Sequence, residues 1–160
     1  MMAKAVLCIG GNLGNREENM AEALDMLEKN SNTEILALSR IYETKPYDVR
    51  AEQPDYLNAC VLIETAYTPM ELLDFCHEIE KACKRVRLEY HGARTMDVDI
   101  LLYENYASAE EVLTIPHKGI LERAFVLVPL ADLFPSGNAL GFSFGEALEK
   151  VDFSEVWMYT

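Results

Sequence analysis

Two hydrophobic periods take turns along this chain, and the order in which they switch predicts its elements. Residues 4–9 form a short apolar run, read as a strand that Gly10, Gly11 and Gly14 turn into a helix. That helix carries Glu17 and Glu18 in its first turn and repeats Met20, Ala23, Leu24 and Leu27 along one face. A second strand is expected over 34–43 and a third over 56–64. In the third, Leu57, Ala59, Val61 and Ile63 take one face while Tyr56, Asn58 and Cys60 take the other. The polar segment 44–54 between them is longer than a tight hairpin loop. Thr68-Pro69-Met70-Glu71 has the form of a capping box with proline at the first helical position. The helix it opens places Leu72, Cys76, Ile79, Cys83 and Val86 on one face. In a fourth strand Met96, Val98, Ile100 and Leu102 alternate with Asp97, Asp99, Leu101 and Tyr103. The order is therefore β-α-β-β-α-β, which predicts an α+β, ferredoxin-like core with both helices on one face of an antiparallel sheet. Beyond it the pattern predicts an added strand over 112–115, a helix over 120–134 interrupted at Pro129, and a last short helix capped by Ser143-Phe144-Gly145-Glu146. Neither repeat nor linker interrupts the sequence, so residues 1–160 are expected to form one domain.

If the helices cover the face bearing Leu57 and Val98, then Tyr56, Asn58, Asp97 and Asp99 share the opposite face. Two residues of strand separate the aspartate Cα atoms by about 6.7 Å. Bare carboxylates roughly 6 Å apart repel by about 3 kcal/mol at an effective dielectric of 20. A hard divalent cation is the natural counter-charge, because Mg²⁺ takes one or two carboxylates and completes its shell with substrate phosphates. An Asp-x-Asp alone equally fits the solvated face of an edge strand. Arg94 just upstream, with an aromatic ring and an amide of the third strand on the same face, shifts the balance toward a site for a flat polar heterocycle beside a metal.

Composition narrows the partners. Half of the residues are hydrophobic and 26% are charged, ordinary for a globular protein. The net charge of −13 argues against a general nucleic-acid or anionic-membrane binder. Within that acidic chain, Lys81, Lys84, Arg85, Arg87 and Arg94 form a basic island suited to a nucleotide, although Lys81 and Lys84 also fit a solvated helix end. No apolar run approaches the ~20 residues of a membrane span, and the first apolar run is too short for a signal-peptide core, so a cytoplasmic protein is expected. The four cysteines lack a Cys-x-x-Cys pair and read as packing thiols rather than zinc ligands or disulfides. Gly10 to Gly14 lack the Gly-Lys-Ser/Thr ending of a P-loop and read as a strand-to-helix turn.

Gly10-Gly11-Asn12-Leu13-Gly14, Tyr42-Glu43-Thr44, Gln53-Pro54-Asp55-Tyr56-Leu57-Asn58-Ala59, Arg85-Val86-Arg87, residues 92–100, Thr114-Ile115-Pro116-His117 and Arg123-Ala124-Phe125 together carry a resemblance. Over nearly the whole chain the sequence resembles the 6-hydroxymethyl-7,8-dihydropterin pyrophosphokinase family. The resemblance implies a transferase of folate biosynthesis that moves pyrophosphate from ATP to the pterin hydroxymethyl group, releases AMP and uses two Mg²⁺ ions. It implies that Asp97 and Asp99 hold the metal, and that Arg85 and Arg94 meet the ATP phosphates as catalytic residues. Thr44, Lys45, Pro46, Tyr47, Tyr56, Asn58 and Phe125 would bind the pterin, its ring held between Tyr56 and Phe125. Glu80, Arg87, Ile100, Thr114, His117 and Arg123 would join the two arginines around the nucleotide. No nucleic-acid or membrane partner is implied, and a monomer is expected. His91, Ala93, Val112 and Lys118 depart from residues common in the family. A polymerase-type nucleotidyltransferase fails on the spacing between Gly10-Gly11 and Asp97. A ferredoxin-like regulatory module that binds a small molecule is the alternative; it explains the topology but owes no Mg²⁺-dependent binding of ATP.

Overall fold

A computed structural model describes residues 2–12, 14–45, 55–83, 96–152, 154 and 156–159. In chain order the elements are β1 (Ala3–Gly11), α1 (Arg16–Lys29), β2 (Thr33–Leu38), β3 (Tyr42–Thr44), β4 (Tyr56–Thr65), α2 (Pro69–Cys83), β5 (Asp97–Tyr103), β6 (Ser108–Glu110), β7 (Leu113–Ile115), α3 (Ala124–Leu133), β8 (Asn138–Ala139), β9 (Phe142–Ser143), α4 (Gly145–Lys150) and β10 (Val156–Met158). The main sheet runs β10-β3-β4-β1-β5, and β2 pairs with the same edge of β4 as β3. Every pairing is antiparallel. Merging β2 and β3 gives the ferredoxin-like order expected from the sequence. Among the described residues no helix is long and apolar enough to cross a membrane.

Local chemistry starts the two sheet-packed helices where expected. The Asn15 side chain accepts the Glu18 N–H at 3.0 Å, satisfying one of the free donors at the start of α1. At α2 the capping box closes in both directions: Thr68 N–H donates to Glu71 Oε1 at 2.9 Å, and Glu71 N–H to Thr68 Oγ1 at 3.2 Å. Both helices lie on one face of the sheet. Leu7, Ile9, Leu57, Ala59, Val61, Ile63, Val98 and Ile100 pack there against Met20, Ala23 and Leu27 of α1 and Leu72, Phe75, Cys76, Ile79 and Cys83 of α2. Each fully buried Leu or Ile in this layer contributes about 1.5–3 kcal/mol.

The opposite face divides along β1. Toward one end Val6, Cys8, Cys60, Leu101 and Leu102 pack against Val126, Leu127 and Leu130 of α3 and against Phe144, making a second core. Gly10 marks the other end, opposite Asn58 on one side and Asp97 on the other, beside a cavity that the first turn of α3 helps to wall. All four cysteines are buried and free.

Several local expectations are corrected. Gly10 and Gly11 belong to β1 rather than to the turn, which Gly14 makes with φ +71°. The strand expected over 34–43 is broken into β2 and β3, because the Ser39 hydroxyl takes the Cys60 N–H at 2.9 Å and the Arg40 N–H turns away to Asp132. A register shift in the β1–β5 ladder between Val6 and Leu7 makes Leu101 an extra residue of β5. Leu102 therefore points into the second core and Tyr103 packs on the first, the reverse of a strict alternation. The helix read over 120–134 starts at Ala124 and continues through Pro129, losing only the bond to the Phe125 carbonyl that proline cannot donate. Val112 is exposed and precedes the strand, which pairs with β6. Ser143 lies in β9, and α4 follows Phe144 without a side-chain cap. Val86, the polar segment over 46–54 and the basic loop over 84–95 lie outside the described residues.

Candidate active site

β4 and β5 flank β1, so their period-2 side chains converge over Gly10. Tyr56 and Asn58 come from β4, Asp97 and Asp99 from β5, and Thr44 and Lys45 from the end of β3. His117 follows the cis Ile115–Pro116 peptide, and Arg123 and Phe125 stand at the start of α3. These nine residues line one cavity of about 190 Å³, with Cys8, Leu101 and Val126 also in its wall. That is below the ~300–1,000 Å³ of pockets for drug-sized ligands, so it suits one small ring system.

The half of the cavity formed by β3 and β4 is preset by a buried polar pair, beside half-buried Tyr56 and exposed Lys45. Asn58 Nδ2 donates to Thr44 Oγ1 at 2.8 Å, and both residues are buried. The bond aligns the amide and leaves its carbonyl oxygen for other donors. Gly10 makes this possible: a Cβ there would lie 2.7 Å from the Leu57 carbonyl and inside contact distance of the Asn58 amide. Gly10→Ala should push Asn58 off Thr44 and cost about 1–3 kcal/mol through overpacking. A lower melting temperature together with weaker ligand binding is expected, and a variant with parent values in both would refute the fit.

The β5 half is anionic and open. Asp99 is exposed and Asp97 half-buried, both on the cavity side. Between them the Val98 N–H donates to Glu80 Oε2 at 2.9 Å, so a carboxylate from α2 pins the strand that presents the two aspartates. His117 is held to the same strand by its own N–H, which donates to the Leu101 carbonyl at 3.0 Å. Its Nδ1 accepts the Gly119 N–H at 3.2 Å, which places the proton of the neutral ring on Nε2. Burial, first of all, lowers the His117 pKa below its ordinary 6.5; Asp99 opposes the shift, while Arg123 and Lys118 reinforce it. The folded state thus binds fewer protons than the unfolded chain, so this contribution to stability is whole above pH 6.5 and is lost as pH falls toward the folded midpoint. Ring-proton NMR of the ligand-free protein should show a midpoint below 6.5, lowered further in Asp99→Asn. A midpoint above 6.5 would overturn this environment.

Arg123 passes over Gly119, whose Cβ would sit 2.6 Å from Arg123 Nε, and its guanidinium carbon lies 5.8 Å from the Phe125 ring centroid. Of the other residues singled out in the sequence, Glu80, Ile100 and Thr114 are not in the cavity wall. Glu80 is engaged with β5, the Ile100 side chain belongs to the first core, and Thr114 Oγ1 donates to the Glu110 carbonyl at 2.9 Å. Pro46, Tyr47, Arg85, Arg87 and Arg94 lie outside the described residues. Sequence reasoning missed Cys8, Leu101 and Val126 in the wall. Of these, Cys8 was readable, because Val6, Cys8 and Gly10 alternate with Leu7 and Ile9.

Residues 6–135 match the model of the 7,8-dihydro-6-hydroxymethylpterin-pyrophosphokinase family. A 2-amino-4-hydroxy-6-hydroxymethyldihydropteridine pyrophosphokinase of Methylorubrum extorquens is 40% identical over 151 residues, covering 94% of this chain and 95% of the relative. The Haemophilus influenzae protein of the same name is 42% identical over 132 residues, 82% of each chain. Among solved structures, Plasmodium falciparum HPPK-DHPS wild type with pteroate superposes with a TM-score of 0.69 at 16% identity, covering 94% of this chain and 42% of that one, a likeness of fold. With its matched span and a relative aligned almost end to end, this chain belongs to the 7,8-dihydro-6-hydroxymethylpterin-pyrophosphokinase family.

Proposed function

We infer that the protein transfers pyrophosphate from ATP to the hydroxymethyl group of 6-hydroxymethyl-7,8-dihydropterin, giving AMP and the pterin diphosphate in folate biosynthesis. Family membership supports the reaction. The observation that carries its placement is the cavity in which an aromatic–amide edge from β4 faces a dicarboxylate edge from β5. Tyr56 and Phe125 hold the pterin ring, while Asn58, Thr44 and Lys45, with Pro46 and Tyr47, read its hydrogen-bonding edge.

The donor set suits Mg²⁺. Among the described residues there is no group of three or more His, Cys, Asp or Glu side chains able to enclose a metal. A pair of carboxylates fits a cation that draws its remaining ligands from substrate phosphate and water. When bound by Asp97 and Asp99, two Mg²⁺ ions would neutralise phosphate charge and align the attacked phosphorus. Glu80 acts through the backbone, holding β5 so that both aspartates keep their direction. His117 offers an Nε2–H donor and Arg123 a fixed cation to the nucleotide. Arg85 and Arg94 meet the α- and β-phosphates, where a planar guanidinium fork suits phosphate oxygens, and Arg87, Ile100 and Thr114 complete the nucleotide side.

The deciding experiment supplies ATP, Mg²⁺ and 6-hydroxymethyl-7,8-dihydropterin and identifies the nucleotide product. AMP formed in step with pterin diphosphate is expected. ADP as the main product would refute pyrophosphoryl transfer. Turnover unchanged by metal chelation would refute the Mg²⁺ assignment.

A further inference from the structure

Arg16, the first residue of α1, makes contacts that helix formation does not require. One nitrogen, Nη1, donates to Glu43 Oε2 at 2.6 Å and to the Asp55 carbonyl at 2.9 Å. Glu43 immediately precedes Thr44, and Asp55 immediately precedes Tyr56. Thr44 and Tyr56 are direct partners in the β3–β4 ladder, and both line the cavity. A single guanidinium therefore ties together the two roots of the segment over 45–55, next to the two residues that enter the site.

The ion pair is only 24% and 29% exposed, which spares it much of the screening that weakens surface pairs. Its far side is backed by the C-terminal strand. Trp157 of β10 pairs with Glu43 in the ladder, and the Tyr159 ring centroid lies 5.6 Å from the Arg16 guanidinium carbon. Lys45 Nζ sits 6.0 Å from the Trp157 ring centroid, so the same strand also touches a residue of the cavity wall. The family match ends at residue 135, well before β10.

We propose that Arg16 is a positioning residue for the heterocycle half of the cleft, setting Thr44 and Tyr56 by clamping Glu43 to the Asp55 carbonyl, with β10 as its backing. The inference rests on the proposed binding of a pterin between Tyr56 and Phe125. It acts through its neighbours, not on substrate.

Steady-state kinetics of Arg16→Ala, Arg16→Lys and Glu43→Gln, each with a melting curve, test it. Arg16→Ala should raise KM for the hydroxymethyl-dihydropterin about tenfold while KM for ATP and kcat stay within about twofold. Arg16→Lys, which keeps a cation able to donate to both oxygens, should recover most of that loss. Glu43→Gln should fall between, since the bond to the Asp55 carbonyl survives. A pterin KM unchanged in Arg16→Ala overturns the clamp. Equal rises in both KM values with a large fall in melting temperature also overturn it, because they report general loosening. A parent protein that forms no AMP removes the proposed activity and the clamp with it, whereas an active parent beside an unaffected Arg16→Ala removes the clamp alone.

Discussion

Asp97→Ala and Asp99→Ala should each lower turnover by about 10³-fold or more while leaving the fold intact. Metal ions contribute several kcal/mol of charge stabilisation in phosphoryl-type transfer, and each 1.36 kcal/mol is a factor of ten. Neither side chain belongs to either core: Asp99 is exposed, and Asp97 stands at the cavity mouth at the start of β5. Removing exposed Asp99 also relieves carboxylate repulsion when no metal is bound. At exposed Asp99 a surface change of this kind stays within about 0.5 kcal/mol, or about 1–2 °C for a chain of this size, and at half-buried Asp97 the cost stays too small to unfold the protein. Circular dichroism without Mg²⁺ should therefore match the parent in both variants, and the melting temperature of Asp99→Ala should match it as well. Near-parent turnover in either variant would sink the metal assignment, and a collapsed melting curve would show the residue to be structural instead.

Period-2 alternation put Asp97 and Asp99 on one face, because it is a local signal and β5 keeps it as far as Ile100. The alternation then misassigned Leu102 and Tyr103. The bulge at Leu101 arises from how β5 seats against β1, and residue order within β5 does not record that pairing. The break in the long second strand was hidden for a related reason. A hydroxyl at Ser39 replaces a ladder partner for Cys60, and such a substitution is specific to one contact across the sheet.

The face of the sheet opposite α1 and α2 was anticipated only as a site. Half of it is a second core under α3, whose residues 126, 127, 129 and 130 are buried. A helix that is apolar nearly all round gives no stripe from which to read its docking face. Gly10 looked like turn punctuation because glycine most often is; its work here is to make room for Asn58, a long-range requirement. The Arg16–Glu43 pair joins residues 27 positions apart, beyond any local pattern. Local periodicity thus predicted the main elements and the common face of Tyr56, Asn58, Asp97 and Asp99 on the two strands that flank β1, while the cross-sheet contacts that hold those residues in place needed the structure.

Tyr56→Ala and Arg94→Ala should fail in different ways. In the proposed site Tyr56 stacks on a ring that does not change during the reaction, so losing the aromatic face should weaken ground state and transition state alike. Stacking of a base on an aromatic side chain contributes about 1–3 kcal/mol, which predicts a loss of about 5- to 150-fold in pterin affinity with kcat little changed. The buried Asn58–Thr44 bond lies beside Tyr56 and keeps the heterocycle edge formed in the variant, so the fold should persist. Arg94 is assigned to phosphate oxygens whose charge shifts as the β-phosphorus is attacked. Its loss should appear in kcat, by about 10²–10³-fold if removal of one oxyanion donor is a guide, with pterin affinity near that of the parent. Both variants should still release AMP, because in the proposed site neither side chain selects which phosphorus of ATP is attacked. Equilibrium binding of the pterin, kcat at saturating substrates and the identity of the nucleotide product separate the two roles. A reversed pattern, with Tyr56→Ala failing in kcat and Arg94→Ala in pterin affinity, would undo the assignment of the heterocycle and phosphate halves of the site.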